Sequence, residues 1–197
     1  MPMTIPMTVA QDRARLIAII KERSFEKSGE RKLASGRTST YYFNMKPTML
    51  HAEGAYLICA LVLDALQGEA VDLIGGLEMG AVPIAAAVAA TSQALAKPGA
   101  RPLSAFFVRK EAKDHGTQSL IEGLAKGETL KGKRVVVVED VTTTGGSALK
   151  AVEALQAEGA VIVRVLTLVD RKEGAADTFA KAGIAFSSLL STDDFRD

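Results

Sequence analysis

Apolar and polar positions along the chain follow two alternating periods. Residues 10–23 carry apolar side chains at helical spacing and predict an amphipathic helix. From about residue 52, helical stretches alternate with short apolar runs that are bounded by turn residues, and such runs predict strands. The pattern predicts helices at 52–67, 82–95, 146–158 and 174–182, and strands at 71–76, 103–108, 134–140, 161–170 and 184–190.

This alternation indicates an α/β fold, because parallel strands need helical crossovers that cover both faces of their sheet. The valine and leucine runs at 134–140 and 161–170 are typical of strands that are buried on both sides. We therefore predict one domain over residues 1–197. The polar interval 109–132 is long for a loop, and such intervals are typically lids or binding loops.

Composition narrows the possible functions. The chain has 24 basic and 23 acidic residues, so an anion site must come from a local arrangement of charge. The single cysteine, Cys59, lies in an apolar helical pattern and is predicted to be a buried, inert thiol. The chain has only two histidines, His51 and His115, in addition to this cysteine, so a structural zinc site is not expected. Without a signal-peptide pattern or a bilayer-length apolar run, a cytoplasmic location is expected.

The stretch RVVVVEDVTTTGGS at 134–147 carries the clearest candidate chemistry. Glu139 and Asp140 follow a buried strand, and ligands of open α/β sheets bind at the carboxyl ends of strands. The glycines allow close backbone approach, and the helix that follows favours a phosphate at its first amides. The carboxylates themselves suit sugar hydroxyls or a divalent metal. The alternative is an ordinary strand-to-helix turn with capping threonines, whereas P-loop and dinucleotide fingerprints do not match.

This stretch resembles the phosphoribosyl-diphosphate (PRPP) motif of the type I phosphoribosyltransferases. The resemblance implies a central, mostly parallel five-stranded sheet flanked by helices. It also implies a small hood subdomain, formed by residues 1–50 and the C-terminal segment, on an α/β core of about 51–190. In that family the two acids bind the ribose hydroxyls, and the following loop holds the 5′-phosphate.

The polar interval points to the acceptor. Its stretch RKEAKDHG at 109–116 resembles the catalytic loop of the orotate phosphoribosyltransferases, which reaches across a homodimer. Cations here would neutralise a departing diphosphate. Catalysis is thus expected from Arg109, Lys113 and His115, and His115 could instead only order the loop. The residues expected to bind PRPP are Arg109, Lys110, Lys113, His115, Glu139, Asp140, Val141, Thr142, Thr143, Thr144, Gly145, Gly146 and Ser147.

Three further stretches resemble the same family. LASGRTSTYYFN implies Tyr42 and Phe43 in the orotate pocket, IGGLEMGAVPIA resembles the diphosphate-side loop, and TLVDRKEG places Arg171 where the family binds orotate. An arginine fork suits the carboxylate of orotate, and Thr143 is also expected to face the base. Two positions depart from the pattern, because Ala34 and Gly80 stand where some members have lysine.

The resemblance implies a reaction in which orotate and PRPP give orotidine 5′-monophosphate and diphosphate, with Mg²⁺. A nitrogen of orotate would replace diphosphate at the anomeric carbon, where oxocarbenium character develops. Magnesium is expected mainly on substrate oxygens and water near Glu139 and Asp140, without direct protein ligands. Two alternatives stay open: the same fold acting on another base, and a regulator of this fold that binds RNA.

Overall fold

The computed structural model describes residues 8–32, 38–96, 99, 101–111 and 119–196. Its helices are α1 (Val9–Arg23), α2 (Lys46–Met49), α3 (Ala52–Ala65), α4 (Ala81–Ala94), α5 (Gly146–Ala157) and α6 (Ala175–Lys181). Its strands are β1 (Phe25–Lys32), β2 (Thr38–Phe43), β3 (Leu73–Gly75), β4 (Ser104–Ala105), β5 (Phe107–Val108), β6 (Ile121–Glu122), β7 (Arg134–Thr142), β8 (Val161–Asp170) and β9 (Phe186–Ser191). A 3₁₀ turn, Thr192–Phe195, follows β9.

The central sheet has five strands in the order β4-β3-β7-β8-β9, and every neighbouring pair is parallel. This confirms the predicted α/β class with a parallel sheet flanked by helices. Strand β7 lies in the middle, and four of its five valines, Val135 to Val138, are fully buried. Val136 and Val138 face the core formed with α1, α3 and α4, whereas Val135 and Val137 face the core formed with α5 and α6. Because both faces of the strand are buried, its sequence does not alternate between apolar and polar residues.

The helices begin and end close to the predicted positions. Helix α1 begins after Thr8, whose hydroxyl accepts a hydrogen bond from the amide of Gln11, while the Gln11 side chain accepts one from the amide of Thr8. This capping box satisfies amides that the first helical turn leaves without partners. Cys59 in α3 is 1% exposed, and burial raises the pKa of its thiol, as expected for an inert cysteine.

The predicted strand at 103–108 is in fact divided between two sheets. Strand β4 extends the central sheet, whereas β5 pairs with β6 in a separate antiparallel ladder, with Phe106 between them. Phe106 is 2% exposed, and its carbonyl lies so close to Gly75 that a Cβ atom there would be 2.3 Å away. The contact fixes the close parallel approach of the two chain segments at the point where β3 ends.

Strands β1 and β2 form an antiparallel pair of their own that the apolar pattern did not predict. The C-terminal 3₁₀ turn packs on this pair, because the ring of Phe195 lies 5.4 Å from that of Phe25 and 5.1 Å from that of Phe43. The same turn is tied to α1 by the ion pair between Arg13 and Asp194, at 2.6 Å. In the part of the chain described above, no helix combines the length and apolar character needed to cross a membrane.

Candidate active site

The carboxyl end of β7 carries the predicted acidic pair. Strand β7 ends at Thr142, so Glu139 and Asp140 lie among its last four residues. Helix α5 begins four residues later, at Gly146. Between them, Gly145 has φ +86°, and a Cβ atom there would lie 2.9 Å from the ring of Phe179. Only glycine fits this left-handed, crowded position, and it turns the chain so that the α5 amides face the loop.

Three connected recesses surround this loop. The first, of about 280 Å³, is lined by residues 141–148 together with Glu139 and Lys150. The second, of about 400 Å³, lies on the α4 side and is lined by residues 77–80, Lys46, Lys110, Glu139, Asp140 and Ser147. The third, of about 470 Å³, adjoins Arg109 and Lys110. Ser147 lines all three, so they form one continuous cleft at the strand ends.

Glu139 is the most perturbed acid of the cleft. Its side chain is 9% exposed, and burial, followed by the neighbouring Asp140, raises its pKa to about 8, while Lys110 opposes this rise. Glu139 Oε2 and the hydroxyl of Thr142 are both buried and have no hydrogen-bond partner among the described residues. Buried polar atoms are normally paired. These two atoms therefore mark positions that a hydroxyl-rich ligand or its metal would satisfy.

The predicted cationic residues begin at the far side of the cleft. The amide of Lys110 donates to Glu78 Oε1 at 2.9 Å, and the amide of Glu78 donates to the carbonyl of Val108 at 2.8 Å. These bonds join the loop after β3 to the strand before the basic stretch. Arg109 is oriented by a bond from its Nε to the carbonyl of Glu111, at 3.1 Å. Arg109 and Lys110 thus border the cleft.

Two further predicted residues of this loop, Lys113 and His115, lie outside the described residues, as does Ala34. Their expected roles in PRPP binding and catalysis stay predictions.

The predicted orotate-binding residues occupy different environments. Phe43 is 7% exposed and packs in the core beside Phe25 and Phe195, whereas Tyr42 is 37% exposed. Arg171 lies just after β8, beside the phosphate loop, where its amide donates to the carbonyl of Thr142 at 2.9 Å. This hydrogen bond places Arg171 next to the loop that carries Thr143, and Tyr42, rather than Phe43, is presented to the surface.

Sequence reasoning missed three residues that line the cleft: Lys46, Glu78 and Lys150. Lys150 could have been found, because it follows Ser147 by three residues on the predicted helix, and residues at that spacing share a helix face. Glu78 lies in the stretch IGGLEMGAVPIA, whose resemblance indicated a loop but no role for this residue, and Lys46 gave no signal. They belong to connections whose position depends on how separate elements pack.

Residues 50–188 match the family described as phosphoribosyl transferase domain. The orotate phosphoribosyltransferase of Rhodopseudomonas palustris (strain BisB5) is 58% identical over 189 residues, which cover 96% of this chain and 98% of that protein. The chain belongs to the orotate phosphoribosyltransferase family.

Solved structures of the orotate phosphoribosyltransferase family agree. A crystal structure of the Mycobacterium tuberculosis enzyme has a TM-score of 0.77 and 40% identity, covering 93% of this chain and 98% of that one. Another crystal structure of that enzyme, in complex with PRPP, has a TM-score of 0.73 and 37% identity over the same shares of the two chains. Family membership confirms the resemblance that the motifs suggested, and it favours orotate over the two alternatives.

Among the described residues, the acidic pair at the end of β7 is a donor set that a metal could use. Within the described ranges, no group of three or more His, Cys, Asp and Glu side chains converges on a point. Glu139 and Asp140 nevertheless place carboxylate oxygens beside the cleft, one of them unpartnered. This donor set fits an ion such as magnesium, which keeps waters and binds largely through substrate oxygens.

Proposed function

We propose that this chain transfers the 5-phosphoribosyl group from PRPP to orotate, which yields orotidine 5′-monophosphate and diphosphate in pyrimidine nucleotide synthesis. The observation that carries the proposal is the acidic pair at the end of β7. It is followed directly by the loop that lines the 280 Å³ recess and by the start of α5. The C1–O bond to diphosphate breaks, and the new bond forms to a ring nitrogen of orotate.

The 5′-phosphate end of PRPP would lie in the 280 Å³ recess. There, residues 141–147 offer backbone amides and threonine hydroxyls, and the positive end of the α5 dipole favours an anion. Lys150 adds a positive charge at the margin of the same recess. The loop is rigid at its base, because it continues the central strand of the sheet. A preorganised cradle fixes the ribose for reaction.

The ribose would be held by the acidic pair. Burial raises the pKa of Glu139, and its carboxyl group lines the same recess as that of Asp140. Asp140 accepts a bond from the amide of Val141 at 2.9 Å, which fixes its orientation toward the cleft. Ribose hydroxyls both donate and accept, so the two acids complement them.

The diphosphate would leave past the cationic margin. Lys46 and Lys110 line the 400 Å³ recess together with Glu78, and Arg109 stands at the adjoining one. Positive charge near the departing oxygens stabilises the transition state more than the ground state. We assign the largest part of this work to Lys113, assisted by Arg109 and His115.

The acceptor would lie between Arg171, Thr143 and Tyr42. Arg171 suits the orotate carboxylate because a guanidinium binds a carboxylate through two parallel bonds. We further propose that residues 1–50 and the C-terminal segment act as a hood over this part of the cleft. The packing of Phe195 against Phe25 and Phe43 supports this unit.

Magnesium is proposed as the cofactor, with Glu139 and Asp140 on its outer side. When bound, it would neutralise diphosphate charge. We also propose a homodimer in which residues 109–118 of each subunit cover the site of the other, and a cytoplasmic location.

The proposal is tested by the absorbance change of orotate in the presence of PRPP and Mg²⁺. Hypoxanthine, adenine and uracil serve as control acceptors. We expect turnover with orotate and with none of the control acceptors. Turnover only with a control base would overturn the proposal. Mixing the Lys113→Ala and Asp140→Ala proteins tests the shared site. If the loop of one subunit completes the site of the other, a mixed dimer contains one intact site and regains some activity.

A further inference from the structure

The candidate orotate-binding arginine is held by an unusual set of contacts. The side chain of Arg171 is 5% exposed, and its Nε lies 2.9 Å from Oε1 of Glu173, whose side chain is 18% exposed. Its Nη2 donates to the carbonyl of Tyr41 at 3.3 Å. The guanidinium is planar, so two contacts on different nitrogens set the direction in which the whole group faces.

The main chain of Arg171 is fixed as well. Its amide donates to Thr142 at 2.9 Å, and its carbonyl accepts a bond from the hydroxyl of Thr192 at 3.3 Å. The first contact joins Arg171 to the phosphate loop, and the second joins it to the C-terminal 3₁₀ turn. Neither contact orients the side chain. Two contacts that do so are the ion pair with Glu173 and the bond to the Tyr41 carbonyl.

Two local features carry a cost that a purely structural ion pair does not need. Oε2 of Glu173 is buried and has no hydrogen-bond partner among the described residues. Lys172, between the two charged residues, has φ +56°, a left-handed conformation that side chains other than glycine rarely adopt. This turn, supported by a bond from the Lys172 amide to Asp170 Oδ1 at 2.8 Å, directs Glu173 back toward Arg171. Strain and unpaired polar atoms concentrate where geometry serves function.

We propose that Glu173 is a positioning residue for the acceptor: it holds the guanidinium of Arg171 in the orientation that binds the carboxylate of a pyrimidine carboxylic acid. The inference rests on the proposed function, since it assumes that Arg171 meets orotate. In this role Glu173 would contact neither substrate. It does not line the phosphate recess, so we expect its removal to affect the acceptor side of the cleft more than the PRPP side.

The experiment compares steady-state kinetics of Glu173→Ala and Glu173→Gln with those of Glu158→Gln. Glu158 is an exposed carboxylate at the end of α5 and controls for loss of one negative charge. In Glu173→Ala we expect the KM for orotate to rise about tenfold or more while the KM for PRPP changes less than about twofold. Glu173→Gln keeps the size of the side chain but not the charge of the ion pair, so it should restore only part of the orotate affinity.

The outcomes separate the two levels of the proposal. A wild-type chain that does not use orotate overturns the proposed function itself. A wild-type chain that uses orotate, with an unchanged orotate KM in Glu173→Ala, overturns only the positioning role. Equal rises in both KM values, or loss of folding in both Glu173 variants, would assign Glu173 to general stability and also overturn it. Thermal unfolding of each variant measures the last case.

Discussion

A Cβ atom on Gly80 would lie 2.5 Å from Oδ1 of Asp140 and 2.9 Å from its Cγ. Gly80 has φ −59° and ψ −43°, an ordinary helical conformation, so glycine is needed here for space and not for backbone freedom. The Asp140 carboxylate occupies the room that a side chain at position 80 would take. A side chain at position 80 would therefore require the Asp140 carboxylate to move from its observed position.

We therefore predict that Gly80→Ala displaces Asp140 and weakens PRPP binding. The KM for PRPP should rise about tenfold, while the free energy of unfolding changes by only about 1 kcal/mol, because the backbone accepts alanine. A double-mutant cycle supplies the control. In an Asp140→Ala background the same alanine should have little further effect on PRPP affinity, and full additivity of the two changes would contradict the steric explanation.

The raised pKa of Glu139 makes stability depend on pH in a definite direction. Its pKa is about 8 in the folded chain and near the ordinary 4.5 when unfolded, so between these values the folded state binds the extra proton. The free energy of unfolding should therefore fall as pH rises from about 4.5 to about 8. In Glu139→Gln this contribution disappears, so the difference between variant and wild type should grow by about 4 kcal/mol over that interval.

Urea unfolding of the ligand-free proteins at about pH 5 and pH 8.5 measures this difference. Relative to the wild type, the free energy of unfolding of the variant should be higher at about pH 8.5 than at about pH 5. Parallel changes of the two proteins with pH would show that Glu139 ionises normally in the folded state.

Much of the α/β core could be predicted because its apolar periods are strong. Helix α1 was predicted to begin one residue late, and the β7 strand was predicted to end two residues early. The β1–β2 pair was missed because FEKSGERK has no apolar alternation. That strand is set by its antiparallel partner and by the rings of Phe195 and Phe43, which lie far away along the chain.

The site divides in the same way. Glu139 and Asp140 could be placed from sequence because a strand end is a local feature. The contact of Gly80 with Asp140 and the ion pair of Arg171 with Glu173 could not, since they depend on side-chain directions at the ends of different elements or within a strained turn. The roles of Lys113 and His115 stay predictions.

Lys46 offers a test of a residue that the motifs did not indicate. It is exposed and lines the recess next to Asp140 and Lys110, so it can supply positive charge where lysine is absent at position 80. We expect Lys46→Ala to raise the KM for PRPP about three- to tenfold and to reduce its dependence on salt. Lys181→Ala, an exposed lysine at the end of α6, is the matched control. Equal effects of the two substitutions would remove Lys46 from the site.

Gly145 and Gly174 form a natural pair for separating backbone strain from crowding. Both precede a helix with positive φ, +86° and +110°, but only Gly145 approaches another residue, Phe179, at 2.9 Å. Alanine at either position should cost about 1 kcal/mol for its backbone conformation, and Gly145→Ala should lose roughly 1–3 kcal/mol more through overpacking. Urea unfolding of the two variants gives the comparison. Equal losses would mean that Phe179 moves aside freely.

The ladder of β5 and β6 has a thermodynamic meaning beyond its small size. The amide of Arg109 donates to the carbonyl of Leu120 at 2.8 Å, so the two ends of the intervening segment are already joined in the fold. Joining the ends of a chain segment costs entropy that grows only with the logarithm of its length, about 0.6 kcal/mol for each doubling. Lengthening the segment within residues 112–118 should therefore hardly change folding, whatever it does to turnover. Insertions in this segment should therefore change turnover while the free energy of unfolding stays nearly constant.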